Sequence, residues 1–214
     1  MNDSIIRFFQ DGGTFMFPIA IVLALGLAIA IERLIVLTAA RASNRKDFGF
    51  LLMCLKRGDL KKAIQHSTSS NSAISDVIAA GLSRLAAGSG RTEIEYAMEE
   101  RLLEVIPRFE KRTQYLATLA NVATLLGLLG TIMGLIDAFT AVASADPAEK
   151  AALLSQSISV AMNTTAFGLM VAIPLLLLHA FLQNLTNEIV DSFESAGIKV
   201  INLLGQGKRG GEAA

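Results

Sequence analysis

The chain has one cysteine and two histidines. A lone cysteine, Cys54, excludes an intrachain disulfide framework and reads as a packing residue. The histidines, His66 and His179, fall on different segments. They offer no metal-ligand cluster and no nucleophile–base pair, and a phosphate loop is missing as well. Enzyme chemistry and a resident cofactor or metal are therefore not expected. Charge is also scarce. Charged residues make up 18% of the 214, and 19 basic side chains cancel 19 acidic ones. A chain without net charge has no global field to steer nucleic acid or acidic substrates.

What the sequence has is apolar residues, 52% of the total at a mean hydropathy of +0.51, and they are bunched. About 18 predominantly apolar residues in a row are enough to cross a bilayer core. Three stretches qualify: FMFPIAIVLALGLAIAIERLIVL from Phe15, a run from Tyr115 to Ala143, and a run from Leu153 to Leu185. A soluble helical core built from three such runs would need more polar covering surface than this chain has. A cleaved signal peptide is a poor reading of the first run. The segment before it, MNDSIIRFFQDGGT, carries two acids and one base, and the positive charges (Arg33, Arg41, Arg45, Lys46) follow the apolar run instead.

Lys and Arg are spread unevenly. Residues 1–14 hold one, residues 39–113 hold thirteen, residues 143–152 hold one and residues 187–214 hold three. Positive loops stay on the cytoplasmic side. The expected protein is all-α and integral to a membrane, with its N-terminus outside, which is the periplasm for a bacterial inner membrane, and its C-terminus cytoplasmic. Residues 1–14 form a periplasmic amphipathic segment, and spans follow at 15–38, 115–143 and 153–185. A cytoplasmic helical domain occupies 39–114, a periplasmic turn 144–152, and a cytoplasmic helix and tail 186–214.

Finer signals fill in this outline. Residues 2–11 have an amphipathic pattern ended by Gly12 and Gly13. Pro18 sits in the first turn of the first span, where its missing N–H does no harm. Residues 46–56 are amphipathic, KRGDLKKAI predicts a helix–turn–helix junction at Gly58, and Ser67–Ser72 reads as a polar loop. Residues 73–87 predict a helix ended at Gly88, Ser89 and Gly90. Thr92 with Glu95 has capping-box spacing, and no stop follows it. The pattern predicts one continuous helix over 92–144, about 80 Å long, kinked at Pro107. The third run continues past the membrane on a stripe of Ile189, Phe193, Val200 and Leu203, and GQGKRGGEAA predicts a disordered tail. Two spanning helices thus extend into a cytoplasmic bundle.

Two of the spans carry seams of small residues. In the second, Ala120, Thr124, Gly127, Thr131, Gly134 and Ala138 recur every three or four residues and share one face. In the third, Ser157, Ala161, Thr165, Gly168 and Ala172 do the same, with Asn163 and Thr164 beside them. Small residues let membrane helices approach closely, and Gly130 with Gly134 makes a GxxxG pattern. Packing accounts for Gly127, Gly130, Gly134 and Gly168. It accounts less well for Thr131 and the Asn163–Thr164–Thr165 cluster, because polar side chains at membrane depth often mark ion pathways. Asp137 lies about 9 Å from Thr131 along the helix and reads as a hydrated interfacial acid. Glu32 and His179 read as interfacial at the inner side. No carboxylate falls at mid-membrane, so a conducting path would need an acid from a partner.

Several segments resemble the ExbB/TolQ/MotA family of ion-motor subunits. GGTFMFPIAIVLALGLAIAIERL looks like its first helix, LLGLLGTIMGLIDAF its second-helix signature and AMNTTAFGLMVAIPLLLL its third. Three spans with an outer N-terminus match ExbB and TolQ better than the four-span MotA stators. The resemblance implies a bacterial inner membrane and a homopentamer around a pore. That pore would hold two copies of an ExbD/TolR-like single-span partner, whose aspartate binds the ion. Ion flow would move the partner and transmit force to a TonB- or TolA-like protein, energising TonB-dependent transport or Tol-type envelope processes. Thr131 and Thr165 match the family's two pore threonines, and Thr124, Thr164 and Asn163 extend that polar lining. A glutamate common in ExbB-type proteins five residues before the second threonine is replaced by Val160. The translocated ion is expected to be H+, with Na+ as the alternative. Also open are a stator of another ion-driven machine (gliding, defence or flagellar) and a non-conducting membrane scaffold.

Overall fold

The computed structural model describes residues 12–211, with side chains to residue 203. The amphipathic segment expected at 2–11 lies outside the described residues. Every element among the described residues is α-helical: α1 Met16–Lys56, α2 Leu60–Ser69, α3 Ala73–Ala86, α4 Arg91–Glu110, α5 Thr113–Ser144 and α6 Lys150–Gly211. Contacts divide the chain into two compact units. One takes residues up to Arg33 together with Arg112–Phe181, the other Leu34–Lys111 together with residues from Leu182 onward.

The first unit consists of the start of α1, all of α5 and α6 as far as Phe181. Its interior is built from Met16, Ile19, Leu116, Ala120, Ala123 and Leu175. Gly26 on α1 meets the Leu175 side chain, and Gly130 on α5 meets Phe15 and Thr164. Large apolar side chains such as Phe17, Ile21, Leu125, Leu128, Ile173 and Leu177 face outward. Three helices are long and apolar enough to cross a membrane, and only 22–33% of their most apolar windows is buried within the chain. Most of that apolar surface therefore needs lipid or other subunits as its solvent.

The second unit holds α2, α3 and α4 with the end of α1 and the C-terminal stretch of α6. Residues 46–56 are the end of α1 itself. Gly58 (φ 73°) and Gly88 (φ 79°) take the left-handed conformation that turns the chain after α1 and after α3. Asp59 caps α2 by accepting the Lys62 N–H at 3.2 Å, and Ser72 caps α3. Ile74, Ile78, Leu82, Met98, Val105, Phe109, Ile189 and Phe193 fill its core.

A polar network joins α1 to α2 in this unit. Asp47, on α1, lies 3.1 Å from His66 Nε2 and accepts the Ser70 hydroxyl at 2.6 Å. Burial alone pushes the Asp47 carboxyl up. Hydrogen bonds from Ser70, Ser72 and His66, with the charge of His66, outweigh burial and hold it below the ordinary carboxylate value.

Four expectations are corrected. The predicted continuous helix over 92–144 is interrupted: α4 ends at Glu110, and Arg112 takes a left-handed conformation (φ 71°). The helix runs through Pro107, its last bond being the Lys111 N–H on the Pro107 carbonyl at 3.1 Å, and the left-handed Arg112 then turns the backbone off the helical path. Thr92 is not a cap. The Gly88–Gly90 turn makes Gly90 the N-cap and puts Thr92 already inside α4. Ser67–Ser69 belong to α2, where Ser67 and Thr68 bond back to the Ile64 carbonyl, so the loop shrinks to residues 70–72. In the expected tail, α6 continues to Gly211, because each added residue gains one backbone bond once the helix exists. Residues 212–214 lie outside the described residues.

Candidate functional site

The two seams face one another inside the first unit. A Cβ placed on Gly127 would stand 3.3 Å from the Cα atoms of both Gly168 and Thr165. One placed on Gly168 would stand 2.8 Å from the Ala123 carbonyl oxygen and 3.0 Å from Gly127 Cα. One on Gly134 would meet Ala161 Cβ at 2.9 Å. Here α5 and α6 touch backbone to backbone, which only residues without side chains permit. Gly130 serves another contact, against Thr164 Cγ2 and Phe15 Cβ.

This close approach brings Thr131 and Thr165 together. Their hydroxyls hydrogen-bond one another, and both reach the Gly127 carbonyl, Thr131 at 3.1 Å and Thr165 at 2.9 Å. Both residues are half-buried. Two hydroxyl protons serve three contacts, so one contact lacks a proton in any given arrangement. The cluster therefore has two or more proton arrangements of similar bonding. It presents three oxygens, two of which can donate or accept. Such a group can hydrogen-bond a carboxylate or offer oxygen ligands to a hard cation. It contains no titratable group of its own.

The other candidates stand apart from this pair. Thr164 is buried and donates to the Gly12 carbonyl at 2.6 Å, with the Val160 carbonyl at 3.0 Å. It ties the segment ahead of α1 to α6. Val160 itself packs toward Gly13. Thr124 is exposed and bonds back to the Ala120 carbonyl at 3.1 Å, as threonines in helices commonly do. Asn163 is half-buried, and its amide makes no hydrogen bond among the described residues. Asp137 is exposed near the end of α5.

The ionisable residues at the other end of the unit have partners. Glu32 pairs with Arg112 at 2.8 Å. His179 Nδ1 lies 3.0 Å from the Thr113 carbonyl. A carbonyl can only accept, so Nδ1 carries the proton. The Thr113 hydroxyl is fully buried without a hydrogen-bond partner among the described residues. Arg33 beside Glu32 is also buried. Sequence reasoning missed Gly12, Arg112 and Thr113 as members of these contacts. Their partners are between 66 and 152 positions away in the chain, and no local pattern signals such pairings.

Comparison with known proteins agrees with this architecture. A family model described as the MotA/TolQ/ExbB proton channel family matches residues 69–195. A biopolymer transport protein ExbB homolog of Methanothermobacter thermautotrophicus is 28% identical over 193 residues, covering 89% of this chain and 67% of that protein. The biopolymer transport protein exbB1 of Vibrio cholerae is 39% identical over 67 residues, 31% of this chain and 29% of its own length. The Tol-Pal system protein TolQ of Haemophilus influenzae is 33% identical over 97 residues, 45% of this chain and 42% of its own length. The chain thus spans about two thirds of the first relative and less than half of the other two.

Proposed function

Because the chain belongs to the MotA/TolQ/ExbB proton channel family, we propose that it is the helical subunit of an ion-motive-force-driven motor of the ExbB/TolQ kind. It is a multi-pass membrane protein, with three helices suited to spanning. The observation that carries the motor reading is the meeting of Thr131 and Thr165 on the Gly127 carbonyl. In a ring of copies, five by family resemblance, this cluster would face a central pore. The acid it lacks would come from the single helix of an ExbD/TolR-like partner in that pore. The threonine hydroxyls would donate to the partner's carboxylate when it is ionised and accept from it when it is protonated. Either state keeps a hydrogen bond, so the proton can load and leave without stranding a buried polar group.

The basic residues of 39–113 support a cytoplasmic side for that segment and a periplasmic N-terminus. Relatives named for biopolymer transport and for the Tol-Pal system support a role in energising transport or envelope processes through a TonB- or TolA-like protein. The ion is proposed as H+. Sodium is the second reading, favoured by three clustered oxygens and by Val160 in place of an acid. The non-conducting scaffold draws on the glycine contacts alone and leaves the threonine pair unexplained.

The test is ion flux in vesicles holding the chain and its partner. Thr131→Val and Thr165→Val keep the shape and remove the hydroxyl. Flux is expected to fall by about tenfold or more while the complex still assembles; full flux in both variants refutes the pore assignment. Flux unchanged in sodium-free medium eliminates the sodium reading.

A further inference from the structure

Within the second unit, between α1 and the C-terminal stretch of α6, lies a cavity of about 300 Å³, at the small end of the range for ligand sites. Arg41, Arg45 and Lys199 stand at its wall against one carboxylate, Glu188. Glu188 is already engaged by Arg41 at 2.8 Å. Arg45 makes no ion pair among the described residues. The Lys199 ammonium stands 6.0 Å from the centre of the Phe48 ring. Two cations at the cavity thus have no anion.

Asn44 adds an independent sign. It lines the cavity and is 5% exposed. Its Oδ1 accepts the Ile74 N–H at 3.2 Å, while Nδ2 has no hydrogen-bond partner. A buried amide rarely leaves both of its protons unused. Phe48 and Ile189 give the same cavity apolar wall.

We propose that this cavity binds a phosphate ester. Its anionic oxygens are held by Arg45 and Lys199, with the Asn44 amide as a neutral donor, and its carbon skeleton lies against Phe48 and Ile189. Several acceptor oxygens on one compact anion match a guanidinium fork, an ammonium and an amide better than a single carboxylate does. The volume admits a phosphate and a small carbon group and is too small to enclose an acyl chain. The phosphate can belong to a soluble phosphomonoester or to a lipid headgroup. Either one would bridge α1 and α6. The proposal does not depend on whether the chain conducts ions.

The test uses the full chain in discs of phosphatidylcholine alone, titrated at low salt with phenyl phosphate and with inorganic phosphate. Saturable binding is expected, tighter for phenyl phosphate. Arg45→Gln and Lys199→Gln, both at exposed positions, are each expected to weaken it by about tenfold. Phe48→Ala is expected to remove the advantage of the phenyl group. A second arm adds phosphatidylglycerol to the discs. If phosphatidylglycerol competes with phenyl phosphate and Arg45→Gln relieves the competition, the source is the lipid; without competition it is the soluble ester. Absence of saturable binding by both probes together with no Arg45-dependent retention of phosphatidylglycerol overturns the proposal. So does binding that neither Arg45→Gln nor Lys199→Gln alters.

Discussion

Gly168→Ala is the sharpest test of the seam. The new Cβ would sit 2.8 Å from the Ala123 carbonyl oxygen and 3.0 Å from Gly127 Cα. Both neighbours are backbone atoms of α5, so neither can rotate aside, and α5 and α6 must separate by several tenths of an ångström. Overpacking of this kind costs about 1–3 kcal/mol. The better helix propensity of alanine returns about 0.5–1 kcal/mol, leaving a net loss of up to about 2.5 kcal/mol. For a chain of this size, each kcal/mol corresponds to about 2–4 °C in Tm. Gly127→Ala meets its nearest backbone atoms at 3.3 Å and should cost less. Gly26→Ala would bring its Cβ to 2.5 Å from Cδ2 of Leu175, which is fully buried and cannot swing aside, so it should also destabilise, whereas Gly49→Ala meets nothing within 4 Å. Gly49→Ala should be near neutral or stabilising by up to about 1 kcal/mol. Thermal unfolding in one detergent ranks the four. If Gly168→Ala is as stable as Gly49→Ala, the two backbones do not touch as described.

Asp47→Asn should cost about 1–3 kcal/mol at neutral pH, because His66 and Ser70 lose a charged acceptor. The Asp47 carboxyl is held below its ordinary value. Its contribution is therefore full above about pH 4, where the unfolded carboxyl is ionised, and fades as pH falls through the lower folded value. The Tm difference between wild type and variant should shrink below pH 4, and a difference that is flat or growing there contradicts the assignment. Thr164→Val keeps the contact with Gly130 and loses the bond to the Gly12 carbonyl, a loss of about 0.5–1.5 kcal/mol read by denaturation. Arg112→Gly relieves a left-handed backbone at the cost of an exposed ion pair worth about 0–1 kcal/mol. It should be near neutral, whereas Arg112→Ala should lower Tm.

The faces that meet at the candidate site were legible in the sequence. The three- and four-residue spacing put Gly127, Thr131, Thr165 and Gly168 on seam faces because helical periodicity is local. The same reading overextended one helix. The apolar pattern carries on past Glu110, and nothing in it marks Arg112 as the left-handed residue at which the backbone turns. The charge network of Asp47, His66 and Ser70 stayed invisible, because its members belong to different helices joined through a turn.

The sequence by itself determined the three apolar spans, the uneven distribution of basic residues and the two small-residue faces. All of these follow from composition and from the 3.6-residue period. Only the tertiary structure decided what those faces meet. It set Gly127 against Gly168, which closes the distance between α5 and α6 until the Thr131 and Thr165 hydroxyls reach the same carbonyl. It also turned Thr164 away from that pair to Gly12. Which hydroxyl reaches which oxygen depends on how two distant helices pack, and that packing is decided by the absence of side chains at the crossing.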